Sequence, residues 1–316
     1  MNRLWRLLTA RNLPLLIAWL AVLWLLTDPT AKGVTRVYRM TFVVDVTRSM
    51  TARDYQLDGA PVDRLSFVKH SLRQLLNALP CQSEIGLGLF TERRVMLLFD
   101  PIEVCSGFQE LDSALINLDW RMAWAADSRV AKGLHNALTL AEARGQTLVF
   151  LSDGQEAPPV NPRYQPDLSI FQGKVPGLIV GVGGLAKVPI PKFDSQFREI
   201  GVYRAEDVPQ ASRFGLPPAS AAQQPGYHAR NAPFGDQQAV GEEHLTSVRE
   251  DYLKNLARSA GLGYVRLTTA DGFAASLKQQ AGLSQARPTE RDMRFWGALL
   301  AWLALLLSYK PLAGQK

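Results

Sequence analysis

The stretch that decides the fold runs from Val37 to Met50 and reads VYRMTFVVDVTRSM. Its first nine residues are mostly apolar and β-branched, which is typical of a strand buried on both faces of a parallel sheet. At the end of this run, a carboxylate and two hydroxyls alternate along the chain at Asp45, Thr47 and Ser49. We therefore expect a central strand whose carboxyl end carries a group of oxygen ligands.

Strands and helices alternate after this stretch. Amphipathic spacing predicts helices over Arg64–Leu79, Val130–Ala143, Leu245–Ala260 and Phe273–Gln280. Short apolar runs predict further strands at Ile85–Phe90, Val95–Phe99, Thr147–Leu151, Leu178–Val182 and Gly263–Leu267. The alternation predicts an α/β fold, a doubly wound, mainly parallel six-stranded sheet. The tight turn between the second and third strands makes one edge strand antiparallel.

Apolar segments without charge occupy both ends of the chain, at Leu13–Thr27 and Phe295–Tyr309. Each has about fifteen residues, fewer than the roughly 20 of a perpendicular membrane-spanning helix. Flanking arginines, lysines and tryptophans can extend such a segment to the headgroups. We interpret both as transmembrane helices. A secretory signal peptide is the alternative for the first segment, although Asp28 and Pro29 leave no small-x-small cleavage site.

These segments divide the chain into three parts. Residues 1–34 form a cytoplasmic tail and membrane anchor, 35–282 the central domain, and 283–316 the C-terminal transmembrane helix with a short tail. Under both readings of the first segment, the central domain is exported. We therefore expect a protein of the bacterial inner membrane whose central domain faces the periplasm.

The two cysteines, Cys81 and Cys105, flank the predicted hairpin. In an antiparallel hairpin centred on its turn, the numbers of paired residues sum to about 185. The cysteine numbers sum to 186, so a disulfide is within reach if the pairing extends that far. Two unrelated buried thiols are the alternative. A disulfide favours an oxidising compartment such as the periplasm.

An insertion, residues 187–243, is rich in Pro, Gly, Gln and Ala and has no clear periodicity. A segment of this length is either an insertion with a role or a disordered arm. It leaves from the carboxyl end of a strand, as does the loop that contains Glu156, and binding surfaces often lie on such loops. We expect Glu156 to contact a partner. Trp124 is either a core residue or an exposed anchor for that partner.

A second carboxylate comes from Ser152-Asp153-Gly154, at the end of the strand over Thr147–Leu151. In an open α/β sheet, ligands bind outside the carboxyl ends of the strands, where the strand order reverses. Asp45 and Asp153 both lie at such ends. Carboxylates and hydroxyls are the ligands that Mg²⁺ and Ca²⁺ prefer, so we expect one such ion here.

Asp45-x-Thr47-x-Ser49 resembles the metal-ion-dependent adhesion site of von Willebrand factor A (VWA) domains, usually written Asp-x-Ser-x-Ser. The segment from Leu148 to Gly154 resembles the fourth strand of that family, and Asp63-Arg64-Leu65 resembles its first helix start. The resemblance implies five residues around one ion: Asp45, Thr47, Ser49, Ser128 and Asp153. Thr47 and Ser128 replace the usual serine and threonine, and both keep a hydroxyl. The resemblance also implies an open coordination position for an acidic residue of a partner protein.

Four segments also resemble the MxaL-type VWA proteins of methylotrophic bacteria, namely Gly86–Glu92, Met122–Ala125, Asp153–Pro159 and Gly177–Gly184. That resemblance implies an assembly or Ca²⁺-insertion factor for a periplasmic, pyrroloquinoline-quinone-dependent methanol dehydrogenase. Its partners would be the quinoprotein dehydrogenase or its assembly proteins. The alternative is a component similar to the Bat aerotolerance proteins, which work with a MoxR-type ATPase.

Three other function classes are disfavoured. The net charge of +6 comes without a basic run interleaved with aromatics, so we expect no nucleic-acid binding. The sequence from Gly181 to Ala186 fits a dinucleotide motif only nominally, because Pro189 and Pro191 follow where a helix should begin. No G-x-S-x-G nucleophile motif is present. We predict an interaction module rather than an enzyme.

Overall fold

The computed structural model describes residues 13–236, 240–280 and 282–308. They form two compact units. The smaller unit contains the described residues up to Arg36 and from Ala286 onward, and the larger one runs from Val37 to Gln285.

The sheet has seven strands: β1 Thr30–Asp45, β2 Glu84–Thr91, β3 Arg94–Glu103, β4 Thr147–Ser152, β5 Gly177–Val182, β6 Gly263–Leu267 and β7 Ser284–Asp292. Six of them follow the order β6-β5-β4-β1-β2-β3, and β7 pairs with β1. Neighbours along this order are parallel except for the antiparallel β2 and β3. The predicted mainly parallel sheet with an antiparallel edge strand is confirmed, and β7 is an additional strand.

The described residues contain seven α-helices: α1 Leu13–Leu25, α2 Arg64–Ala78, α3 Phe108–Asn117, α4 Val130–Arg144, α5 Glu250–Ala260, α6 Ala270–Gln279 and α7 Arg294–Ser308. Two hydrophobic cores lie on opposite faces of the sheet, because side chains alternate along a strand. Phe42 and Val44 of β1 share one core with α2, α3 and α6. Val43 shares the other with α4 and α5. This is a doubly wound domain.

The strand order reverses at β1, which has β2 on one side and β4 on the other. Such a reversal opens a crevice at the carboxyl ends of the strands, since the following helices leave to opposite faces. Val44 pairs with Leu151 in the parallel register of β1 and β4. Asp45 and Ser152 therefore come next to each other at the lip of this crevice.

The insertion over residues 187–243 is folded in its described part, which omits 237–239. Its base is closed by two short strands, Val188–Pro189 and Leu245–Thr246, that pair antiparallel. A second antiparallel pair, Pro191–Phe193 with Glu199–Val202, follows. The Phe193 ring packs on Trp120, with 4.5 Å between ring centroids. The long segment without periodicity is thus anchored at both ends and packed on the domain.

The expectation of two membrane-spanning helices is not met in the part of the chain that the structure describes. There, no helix is both long and apolar enough to cross a bilayer. Helix α1 has 13 residues and ends shortly before β1 begins, whereas α7 has 15 and starts directly after β7. The predicted flanking residues in 1–12 and 309–316 lie outside the described residues.

The predicted disulfide is confirmed, with Cys81 and Cys105 bonded and their Cα atoms 5.3 Å apart. The hairpin register accounts for it. Near the turn, the paired numbers sum to 185, as in Leu89 with Met96, and two register shifts that each add a residue in β3 raise the sum to 187 at Glu84 and Glu103. The cysteines lie just beyond this last pair.

Removing this disulfide should destabilise the larger unit. The bond closes a loop with a sequence separation of 24 residues, for which lost chain entropy predicts a contribution of about 3 kcal/mol. We expect Cys81→Ser with Cys105→Ser to lower the free energy of unfolding in urea by about 2–4 kcal/mol. Reduction of the unmutated protein should give the same loss. Two free thiols in the mass spectrum of the non-reduced protein would contradict the bond.

Candidate functional site

Asp45, at the end of β1, is fully buried and organises the polar residues around it. Its Oδ1 accepts hydrogen bonds from the Thr47 N–H at 2.9 Å and the Thr47 hydroxyl at 2.6 Å. Its Oδ2 accepts from the Ser152 hydroxyl at 2.7 Å. The Thr47 and Ser49 hydroxyl oxygens are 3.3 Å apart. Ligands at adjacent corners of a Mg²⁺ octahedron lie about 3 Å apart, so this spacing is compatible with two ligands of one ion.

Ser128 lies in the loop before α4 and reaches the same place. Its backbone pairs with Ala157 in both directions, with N···O distances of 2.7 and 2.8 Å. The residue is 3% exposed, and its hydroxyl is buried without a hydrogen-bond partner in the described structure. Ser128, Thr47 and Ser49 line one cavity. A buried hydroxyl without a partner is costly, and a cation in this cavity would provide one.

Asp153 follows β4 and is also fully buried, but its charge is compensated by Arg64. The Arg64 Nη1 donates to Asp153 Oδ2 at 2.6 Å and to the Thr246 hydroxyl at 2.9 Å. Its Nη2 donates to Asp54 Oδ2 at 2.7 Å. Burial acts to lower the pKa of Arg64, but the two carboxylates outweigh burial and raise it. The close approach of Gly183 completes this packing, since a Cβ there would lie 2.8 Å from the Arg64 guanidinium carbon.

Asp45 has no comparable cation beside it among the described residues. Burial and, after it, the nearby charge of Asp153 raise the pKa of Asp45 to about 7, although the hydrogen bonds from Ser152 and Thr47 offset part of the rise. Of the two carboxylates, Asp153 therefore has a cation beside it, and Asp45 has none in the described structure.

A cavity of about 160 Å³ opens above these residues. One wall carries Thr47 and Ser49, which follow β1, and Ser128, which lies in the loop before α4. The facing wall comes from the insertion and carries Ile190, Tyr203, Asp207, Val208, Pro209 and Glu243. The insertion thus borders the site directly.

Comparisons with known proteins give a family match for part of the chain. Residues 40–155, which include all five predicted metal ligands, match the family described as von Willebrand factor type A domain. The match covers 116 of the 316 residues, and for this similarity the larger unit is called the VWA domain. A comparison with curated proteins finds no match for the chain.

Solved structures that match the chain include an aerotolerance-related membrane protein from Bacteroides fragilis, 14% identical, with 76% of this chain and 96% of that chain covered and a TM-score of 0.49. BatB from Bacteroides thetaiotaomicron is 14% identical, with coverages of 76% and 95% and a TM-score of 0.48. The manganese-loaded TRAP protein of Plasmodium vivax is 11% identical, with coverages of 83% and 82% and a TM-score of 0.41.

The VWA domain brings all five predicted ligand residues to one end of its sheet. Sequence reasoning missed two neighbours of this site. Ser152 was read only as part of a strand end, although its hydroxyl holds Asp45. Arg64 was noted only within a family-like segment. An arginine at the start of an amphipathic helix is usually exposed. The burial of Arg64 therefore could not be predicted from the sequence.

The two residues proposed to contact a partner differ in position. Trp124 is 44% exposed on the VWA surface, and its indole N–H points to Glu92 Oε2 at 3.4 Å. Glu156 turns inward. Its Oε1 accepts from the Ala131 N–H at the start of α4 at 3.0 Å and from the Tyr252 hydroxyl at 2.6 Å. Burial raises its pKa, and these hydrogen bonds offset part of the effect. Contact with a partner stays a prediction for both.

Replacing Arg64 should be far more costly than replacing an exposed arginine. Arg64→Met leaves Asp153 and Asp54 buried and unpaired, which predicts a loss of about 3–5 kcal/mol in the free energy of unfolding. Arg53 is the matched control, because it also forms an ion pair, with Glu199 at 2.6 Å, but its side chain is 53% exposed. Arg53→Met should cost less than about 1 kcal/mol. Equal losses in urea unfolding would contradict the role of Arg64.

The metal-free VWA domain should lose stability as pH rises towards 7. The pKa of Asp45 lies above its unfolded value of 3.8, so the folded state binds the proton more tightly. This contribution is fully present below about pH 4 and is lost as pH rises through about 7, with a slope of at most about 1.4 kcal/mol per pH unit. We expect urea unfolding in EDTA to show this slope between pH 5 and 7. Asp45→Asn should reduce it, and a slope that Asp45→Asn leaves unchanged would refute the assignment.

Proposed function

We propose that the VWA domain holds one divalent cation, Mg²⁺ or Ca²⁺, and binds an acidic residue of a partner protein through it. The observation that carries this proposal is the cavity where Thr47, Ser49 and Ser128 meet above Asp45 and Asp153. All five residues offer hard oxygen atoms, and few of these are anionic. When bound, the cation supplies positive charge that an incoming carboxylate neutralises.

Charge and hydrogen bonding in the site support the same proposal. Asp153 already has Arg64 as a counter-ion, whereas Asp45 lies buried beside it without one in the described structure. The Ser128 hydroxyl has no other hydrogen-bond partner there. These residues hold and orient oxygen atoms, and the Thr47 and Ser152 hydroxyls are used to fix the buried Asp45 carboxylate. We therefore propose an interaction module rather than an enzyme.

The metal proposal predicts that replacing Ser128 lowers metal affinity, whereas replacing a buried serine away from the cavity does not. Ser128→Ala should lower Mg²⁺ or Mn²⁺ affinity, measured by calorimetry, by about tenfold or more, since it removes one ligand. In EDTA, the same variant should be at least as stable as the unmutated protein, because its hydroxyl has no partner to lose. The rise in Tm on adding metal should shrink accordingly.

Ser71 provides the control, because its buried hydroxyl donates to the Phe67 carbonyl on α2, away from the cavity. Ser71→Ala should leave metal affinity unchanged and lower stability slightly. The metal proposal fails if the unmutated protein binds neither Mg²⁺, Ca²⁺ nor Mn²⁺, or if Ser128→Ala and Ser71→Ala behave alike.

For the partner, we propose a role in assembly or Ca²⁺ insertion of a pyrroloquinoline-quinone-dependent methanol dehydrogenase at the periplasmic side of a bacterial inner membrane. The segments that resemble MxaL-type proteins support a methanol dehydrogenase as the partner. The Cys81–Cys105 disulfide supports location in an oxidising compartment. Exposed apolar side chains on α1 and α7, including Trp19 and Trp302, support contact with lipid.

The alternative is a Bat-like component that works with a MoxR-type ATPase, favoured by the same VWA fold and metal-site residues. Gene neighbourhood distinguishes the two. Quinoprotein dehydrogenase genes beside this gene would support the first role, and a MoxR-type ATPase gene alone would support the second. In both cases, capture of the partner should require the divalent cation and be lost in EDTA.

A further inference from the structure

The cavity above the metal-site residues is enclosed by the insertion instead of opening onto a flat face. Strand-end hydroxyls form one side, and Ile190, Tyr203, Val208 and Pro209 form the other. Its volume of about 160 Å³ is well below the roughly 300–1,000 Å³ of pockets that hold drug-sized ligands. The space therefore suits one side chain or a very small molecule.

Arg48 is one of the residues that line this cavity. Its guanidinium carbon lies 3.9 Å from the centroid of the Trp120 ring and 5.3 Å from that of Phe193, which belongs to the insertion. Such contacts with aromatic rings hold the planar group in one orientation and leave the N–H donors at its edge free to bond. Arg48 is thus positioned by both the VWA core and the insertion.

The Nη1 atom of Arg48 is buried and has no hydrogen-bond partner among the described residues. None of the carboxylates that line the cavity is therefore bonded to it. Asp207, for example, accepts from Lys192 Nζ at 2.6 Å and from the Arg204 N–H at 2.9 Å. A buried cationic donor without an acceptor costs more than a neutral one, so this atom calls for an acceptor from outside.

Two buried polar atoms without a partner in the described structure thus belong to residues lining one cavity, Arg48 Nη1 and Ser128 Oγ. Each comes from a different element, Arg48 from the segment after β1 and Ser128 from the loop before α4. Both can donate to an anion. Two such donors on residues of one cavity fit a ligand with more than one acceptor oxygen, as in a carboxylate.

We propose that Arg48 is a second anchor for the carboxylate that binds in this cavity, and that this carboxylate belongs to a single acidic side chain of the partner protein. The inference rests on the proposed function and makes it more specific. Arg48 Nη1 donates to one carboxylate oxygen, and apolar residues of the insertion, Ile190, Val208 and Pro209, enclose the side-chain stem. The insertion thereby restricts the ligand to a slender acidic group.

The test uses a peptide with one carboxylate, because the partner is unidentified. Mn²⁺ is titrated first. A capped Gly-Glu-Gly tripeptide, its Gln counterpart and acetate are then titrated into the Mn²⁺-loaded protein by calorimetry. We expect the Glu peptide to bind and the Gln peptide to bind at least about tenfold more weakly, since charge-assisted hydrogen bonds are roughly twice as strong as neutral ones.

Three variants separate Arg48 from the metal. Arg48→Met should weaken Glu-peptide binding about tenfold or more while changing Mn²⁺ affinity less than about threefold. Arg48→Lys should have a Glu-peptide affinity between those of the unmutated protein and Arg48→Met, because lysine keeps the charge but lacks the planar donor group. Arg121→Met is the control, since Arg121 is exposed, pairs with Asp119 and does not line the cavity. It should leave peptide binding unchanged.

Val208→Trp tests the insertion wall independently of Arg48, because the larger ring fills the cavity. It should weaken binding of the Glu peptide more than binding of acetate.

Glu-peptide binding that survives Arg48→Met and Arg48→Lys overturns this inference and leaves the metal proposal intact. Acetate binding that matches the peptide and resists Val208→Trp overturns the assignment to a side chain. Absence of Mn²⁺ binding overturns the proposed function and this inference with it.

Discussion

Two buried carboxylates at the ends of adjacent strands, Asp45 and Asp153, are the constraint on which the rest of the site depends. Like charges in a region shielded from water repel strongly, so the fold has to compensate them. Arg64 compensates Asp153 and is itself fully buried, held by Asp54 and by the close approach of Gly183. Asp45 is left with hydrogen bonds from Thr47 and Ser152. One further positive charge is what this arrangement lacks, and the proposed cation would supply it.

The insertion changes what a VWA-like site can accept. Without it, the strand ends would present an exposed edge. With its base closed by Leu245–Thr246 and its Phe193 packed on Trp120, the insertion forms a second wall over the hydroxyls. The same pair of rings positions Arg48, whose guanidinium carbon lies 3.9 Å from the Trp120 centroid and 5.3 Å from that of Phe193. Under the proposed function, affinity for the cation would depend on the residues around Asp45, and selection among carboxylates would depend on the insertion.

Much of the fold was predictable because the apolar periodicity of the sequence matches the burial of the same residues in the structure. The run through Val37–Asp45 has apolar residues on both faces, and such a run is stable only between two layers of helices. The hairpin register followed from the turn, and it brought the cysteines together despite two irregularities. Strand β7 escaped prediction, since its sequence SQARPTERD has no apolar alternation and contains a proline. It forms because β1 begins at Thr30 and offers it a pairing edge.

The sequence by itself determined six of the seven strands of the sheet in their order along the chain, the strand ends at which Asp45 and Asp153 lie, and the pairing of the two cysteines. Each of these follows from periodicity or from distance along the chain. Only the tertiary structure decided that Arg64 neutralises Asp153, that Glu156 turns inward, and that the insertion walls a cavity containing Arg48. These contacts join residues as many as 182 positions apart, as in the hydrogen bond from Arg64 to Thr246. Such contacts depend on tertiary packing and on which charges need a counter-ion. The local sequence pattern contains no information about either.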